Sequence, residues 1–184
     1  MTQLHPDVSS ADHSEGPAHA PVTLVEYGDY ECPHCGRAYP IVKAIQQAMG
    51  DSLRFVFRNF PLAEIHPHAS TAAQAAEAAA AVGSGAFWAM HDAIFEHQDH
   101  LDIASLHTYA VASGVDPDAV RQAISHGTFV ERVNADFMSG VRSGVNGTPT
   151  FFVNGQRYDG EWWNAESFLA DLTVATRASH SRES

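Results

Sequence analysis

With 184 residues, 45% of them hydrophobic and 10 of them Phe, the chain is long enough for one domain, or one domain with an insertion, around a sizeable core. A formal net charge of −12 disfavours nucleic acid and anionic membrane surfaces as partners. No apolar run approaches the roughly 18 residues that span a bilayer, and the first 20 residues carry neither Lys nor Arg nor the apolar stretch of a secretory leader, so the expected compartment is the cytoplasm.

Residues 1–20 are polar and without hydrophobic period, and are expected to form a disordered tail. Val22 to Tyr27 is nearly continuous and β-rich, which predicts a buried strand ended by Gly28-Asp29. A helix is expected to open at Cys32-Pro33-His34-Cys35 and run to about Met49, bent by Pro40 and stopped by Gly50-Asp51. Leu53 to Arg58 alternates as a second strand, completing a βαβ unit whose crossover favours parallel pairing.

From about residue 62 to 144 the pattern is helical. Thr71 to Val82 is Ala-rich, and Phe87, Met90 and Ile94 share one face of the next segment. Asp102 caps a third predicted helix ending at Gly114, and Asp116-Pro117 opens a fourth that closes near Gly127. Thr128-Phe129-Val130-Glu131 reads as a capping box for a fifth. Strand character returns at Thr150 to Val153; Asn154-Gly155 is a hairpin signal, Gln156 to Asp159 the return strand, and Asn164 the cap of a final helix. The last residues, 179–184, are expected to fray. This is one α/β domain over residues 21–178, interrupted by a helical insertion.

The chain has two cysteines, and both lie in the Cys32–Cys35 motif. That concentration points to redox chemistry. If Cys32 opens the helix, its sulfur meets unpaired backbone N–H groups and the positive end of the dipole, both favouring the thiolate. Cys35, one turn on, is expected to be more buried and to act as the resolving thiol, with His34 donating to Cys32 or standing near it as a cation. Asp29 and Glu31 oppose this: their charges raise the Cys32 pKa, and both are expected to be solvent-screened. Glu26 in the first strand is costly to bury; it is either the proton acceptor for Cys35 or an ordinary surface carboxylate. Thr148-Pro149 precedes a Phe-rich strand, where either an ordinary trans turn or a cis bond exposing a strand edge to an extended peptide fits. The rival for the motif is zinc, for which Cys32 and Cys35 supply half a site and His66-Pro67-His68 lies far downstream. His91, His97 and His100 read as exposed.

Val22 to Tyr27 leading into Cys32-Pro33-His34-Cys35, the Gly147 to Gly155 segment, and the helical insertion between them resemble the DsbA family of thiol–disulfide oxidoreductases. The resemblance implies a thioredoxin-like fold with the insertion lying between a βαβ half and a C-terminal ββα half. It also implies that Cys32 is the nucleophile, Cys35 the resolving cysteine, Glu26 the buried acid, and Pro149 a cis-proline facing the cysteines. Thr148 would tune the disulfide and contact substrate, and Pro33 and His34 complete an oxidising form of the motif. The expected activity is disulfide exchange with protein or peptide thiols, with reductase or isomerase action as the alternative direction. A zinc-binding or noncatalytic peptide-binding module is the alternative of another class. No cofactor is implied beyond the Cys32–Cys35 disulfide, the redox partner is unidentified, and a monomer is expected.

Overall fold

The structure, a computed structural model, describes residues 2–180. The expected frayed end therefore falls mostly outside the described residues; the final helix itself runs to His180. The elements in chain order are β1 (His13–Glu15), β2 (Val22–Gly28), α1 (Pro33–Met49), β3 (Leu53–Asn59), α2 (Ala69–Ala80), α3 (Ser84–Glu96), α4 (Ile103–Ala112), α5 (Pro117–His126), α6 (Val130–Arg142), β4 (Thr150–Val153), β5 (Gln156–Tyr158) and α7 (Ala165–His180). The βαβ half, the helical insertion and the ββα half follow in the expected order. Two compact units form: residues 1–27, 37–58 and 139–184 make the sheet unit, and residues 28–36 and 59–138 the helical unit.

In the sheet unit the strand order is β1-β3-β2-β4-β5. β2 is a continuous apolar run because both its faces are covered: Val22, Leu24, Val25 and Tyr27 are all fully buried. β4 lies antiparallel on β2, with Glu26 opposite Phe151 and Tyr27 opposite Thr150. The β4–β5 turn needs positive φ at both central residues, and Asn154 (47°) and Gly155 (80°) supply it. The Asn154 side chain also accepts the Thr23 N–H at 2.7 Å, tying the hairpin to the start of β2.

The N-terminal segment corrects the sequence reading. It is not a disordered tail: β1 pairs antiparallel with β3, and Leu4 is buried. Arg58 explains much of the order. Its buried guanidinium donates to Asp12 at 2.8 Å, to the carbonyls of Pro6 and Asp7, and to the Tyr27 hydroxyl. Hydrophobicity underrates such a segment, because what holds it is sheet-edge pairing and a buried cation that needs acceptors.

In the helical unit α2 buries seven alanines, so short side chains let its neighbours approach from several sides. Phe87, Met90 and Ile94 of α3 are fully buried, as their spacing predicts. Asp102 caps α4 by accepting from the N–H groups of Ala104 and Ser105, and Gly127, at φ 63°, closes α5. The Thr128 N–H goes to Ala123 O at 2.9 Å, so Thr128 helps end α5, and α6 starts at Val130. No helix among the described residues is long and apolar enough to cross a membrane.

Candidate active site

The chain leaves β2 through a turn, residues 28–31, that delivers Cys32 to the N-cap of α1. The Cys32 N–H donates to Asp29 O at 3.1 Å, and Cys32 O accepts the Gly36 N–H at 3.0 Å, the first bond of the helix. Pro33 fills the first helical position, where its missing N–H costs nothing and its fixed φ suits the helix. Cys32 thus stands at the N-terminal end of α1, where the helix dipole favours negative charge. Cys35, one turn in, is fully buried and accepts the Asp29 N–H at 3.4 Å on Sγ. The expected contrast in burial is slight, since Cys32 is also buried, at 3% exposure. The two cysteines are not joined in a disulfide here. Pro33 and His34 are exposed on the outer side of the turn.

The reading of Asp29 and Glu31 as solvent-screened fails. The Asp29 side chain is 0% exposed and that of Glu31 20%. Asp29 Oδ1 accepts the Glu31 N–H at 2.8 Å; Oδ2 accepts the Leu62 N–H at 2.8 Å and lies 2.8 Å from His66 Nδ1. Glu31 in turn accepts the His68 N–H at 2.6 Å and faces His68 Nδ1 at 3.0 Å. Two acids spaced i, i+2 meet two histidines with the same spacing. Burial pulls the His66 pKa down, but the Asp29 hydrogen bond and the charges of Asp29, Cys32 and Glu31 outweigh it and raise it above the usual imidazole value. Among the described residues no cluster of three or more His, Cys, Asp or Glu is placed to hold a metal ion.

Two further anchors come from the insertion. Tyr30, 1% exposed, packs on Phe95 and stands with its hydroxyl 3.0 Å from His91 Nδ1. His91 is buried, not exposed as its type suggests, because Phe87, Trp88 and Phe95 surround it. Gln98, after α3, donates its Nε2 to Tyr30 O (2.9 Å) and Cys32 O (2.7 Å). Sequence reasoning missed Tyr30, His91 and Gln98. The matched spacing of Asp29/Glu31 and His66/His68 was a usable signal; a lone Gln in a loop carries none.

Cys32, Pro33, His34 and Cys35 therefore share the first turn of α1. The other three expected site residues belong to the sheet unit. Glu26, 3% exposed, lies inside β2; the Thr148–Pro149 bond is cis and stands at the entry to β4. Thr150, the next residue, ties its hydroxyl to Gly147 O at 2.7 Å.

A sheet of this order, with a cysteine pair opening the helix after β2 and a helical insertion after β3, defines the thioredoxin-like class of α/β proteins. The chain belongs to the thioredoxin family, whose model matches residues 9–169. The fold is the DsbA-type form: oxidised BdbD from Bacillus subtilis superposes with a TM-score of 0.83 at 24% identity, covering 95% of this chain and 96% of that one. Alpha-DsbA1 of Wolbachia pipientis gives 0.83 at 19% identity, covering 96% of each chain. A thioredoxin-like oxidoreductase from Silicibacter pomeroyi DSS-3 gives 0.78 at 25% identity, covering 92% of this chain and 94% of that one. In sequence the chain is 44% identical over 177 residues to a protein named Na(+)/H(+) antiporter NhaA 1 from Salinispora arenicola, and 43% identical over 174 residues to one of the same name from Mycobacterium sp. strain KMS. Those alignments take in 95% and 94% of this chain but only 26% and 28% of the relatives, so the chain spans about a quarter of the curated relatives it matches.

Proposed function

We propose that the protein is a thiol–disulfide oxidoreductase acting on protein or peptide thiols, working in the oxidising direction. The observation that carries this is the pair itself: Cys32 at a helix N-cap, and Cys35 one turn in with a backbone amide on its sulfur. A substrate thiolate attacks Cys32 Sγ of the oxidised pair, forming a mixed disulfide and releasing Cys35 as the leaving thiolate. A second substrate thiolate attacks the substrate sulfur of that bond. Substrate leaves as a disulfide, two electrons stay on the protein, and Cys32 becomes a thiolate held by the helix terminus. The reverse sequence, in which Cys32 attacks and Cys35 resolves, is the reductase or isomerase alternative. In this reading Glu26 passes a proton to the leaving Cys35 thiolate and takes it back when Cys35 attacks in the reverse sequence. Thr148 and Pro149 contact the substrate backbone, and the only redox group is the disulfide.

Equilibration with glutathione buffers followed by thiol trapping tests it. A potential less negative than about −200 mV fits an oxidant, and a value near −270 mV a reductase suited to the cytoplasm. Failure to form an intramolecular Cys32–Cys35 disulfide refutes both. A second reading rests on the 44% identity to proteins named as antiporters: the module serves the thiols of such a transporter. Mixed disulfides trapped with Cys35→Ser decide it; captured chains that include no membrane transporter overturn the second reading alone.

A further inference from the structure

Asp29 has two relations to the cysteines that pull against each other. Its main chain serves both: the carbonyl accepts the Cys32 N–H, and the amide donates to Cys35 Sγ. Its side chain places a fully buried carboxylate in the same turn, three residues before the nucleophile. An uncompensated charge there opposes the Cys32 thiolate. The structure supplies the compensation from 37 residues downstream, as His66 Nδ1 at 2.8 Å from Asp29 Oδ2, with a side chain only 16% exposed.

We infer that His66, acting through Asp29, is a positioning residue whose imidazolium offsets the Asp29 charge, so that its protonation sets how strongly the Cys32–Cys35 pair oxidises. The inference rests on the proposed thiol–disulfide exchange and adds to it the source of its tuning. The charged groups facing His66 are Asp29 and Glu31 from the 28–31 turn and Cys32 from the start of α1, all of which favour its protonated form. On its own loop, His68 is turned to Glu31, and Glu64 is exposed. Reduction of the disulfide by two substrate thiols leaves a new negative charge on Cys32. That charge is stabilised when His66 is protonated; when it is not, the charge meets an Asp29 carboxylate offset by the neutral backbone N–H donors of Glu31 and Leu62 alone. The sign follows: the favourable contribution is present at low pH and is lost as pH rises through the raised His66 pKa, where the pair becomes a weaker oxidant. Linkage requires the converse, that reducing the pair raises the His66 pKa.

The test uses the whole chain. His66→Asn keeps a donor toward Asp29 and removes the titrating charge. The readouts are the glutathione equilibrium constant from pH 5 to 9 and the pH profile of Cys32 alkylation by iodoacetamide. Wild type is expected to lose about tenfold in equilibrium constant across the His66 titration, beyond the ordinary proton dependence, equivalent to about 30 mV. His66→Asn is expected to sit at the weaker-oxidant limit throughout. Histidine NMR titration of wild-type protein, reduced against oxidised, is the second measurement and needs no variant; the His66 pKa is expected to be higher in the reduced form. If the disulfide forms and exchanges normally while His66→Asn matches wild type, or the His66 pKa ignores the redox state, this inference is overturned and the oxidoreductase reading stands. If no disulfide forms, that reading itself has failed.

Discussion

Gly36 is the residue through which the hydrogen bonding of the cysteine-bearing turn is most directly tested. A Cβ built there would lie 2.2 Å from Gln98 Oε1 and 2.9 Å from its Cδ. The Gln98 amide ends a flexible side chain, so Gly36→Ala should push it aside without moving backbone. What is lost is then the pair of hydrogen bonds from Nε2 to Tyr30 O and Cys32 O. At about 1 kcal/mol net each, that loss is about 2 kcal/mol. Against it stands the helix preference of Ala over Gly, about 1 kcal/mol in a helix interior. Gly36→Ala should therefore destabilise wild type by about 1 kcal/mol. In a Gln98→Ala background the obstruction is gone, and the same substitution should stabilise by about 1 kcal/mol. The coupling of about 2 kcal/mol is well outside the additivity expected of independent sites. Urea titrations of the four proteins measure it. Equal effects of Gly36→Ala in both backgrounds would refute the claim that Gly36 is kept bare for Gln98.

Other substitutions test the supports further out. Arg58→Met strands the nearly buried Asp12 carboxylate and should cost about 3–5 kcal/mol; a thermal midpoint within a degree or two of wild type would contradict it. Deleting residues 2–16 removes β1, Leu4 and the Arg58 acceptors Pro6, Asp7 and Asp12 together, and should destabilise at least as much, whereas a dispensable tail would leave the midpoint unchanged. Asp136 tests a different effect. Burial pushes its carboxyl pKa up; Arg132 and the Asn59 hydrogen bond oppose the shift, and Glu77 adds to it. The native state thus holds this proton to higher pH than the unfolded chain does, so its contribution to stability falls as pH rises above about 4. Asp136→Asn should flatten the dependence of the urea midpoint between pH 4 and 7, and parallel profiles for the two proteins would count against the assignment.

Elements announced by periodicity, caps and turn residues were legible in the sequence. Asp102 and Asp116 cap where expected, Asn154-Gly155 turns the hairpin, and the β2 run is buried on both faces. The cysteine pair was equally legible, because two residues of a rare type share one turn. The unread features depend on contacts distant in sequence. Residues 2–16 look unstructured by composition, yet they are held by Arg58, a residue some fifty positions away whose own strand reads as ordinary. Asp29 and Glu31 look like surface acids until the segment carrying Leu62, His66 and His68 closes over them. His91 looks like an exposed helical histidine because nothing nearby in sequence reveals Tyr30 as its partner.

Those distant contacts tie the helical insertion to the turn that carries Cys32. The turn carrying Cys32 belongs to the same compact unit as residues 59–138. Its four consecutive positions are each fastened from that segment: Asp29 by Leu62 and His66, Tyr30 by His91 and Phe95, Glu31 by His68, and Cys32 through its carbonyl by Gln98. The Asp29 fastening fixes backbone that bonds to both cysteines, Gln98 holds the Cys32 carbonyl itself, Glu31 sets a charge next to Cys32, and Tyr30 anchors the turn between them. A change in the insertion can therefore reach the sulfurs without altering Cys32-Pro33-His34-Cys35, and its effect depends on what kind of fastening it breaks. Loss of Gln98 frees carbonyls and should loosen the geometry around Cys32, which alters rate. Loss of the His66 charge leaves the Asp29 bond replaceable by a neutral donor and should alter potential. Under the proposed exchange, two proteins sharing the motif should therefore differ in the strength of the pair when a residue such as His66 differs between them.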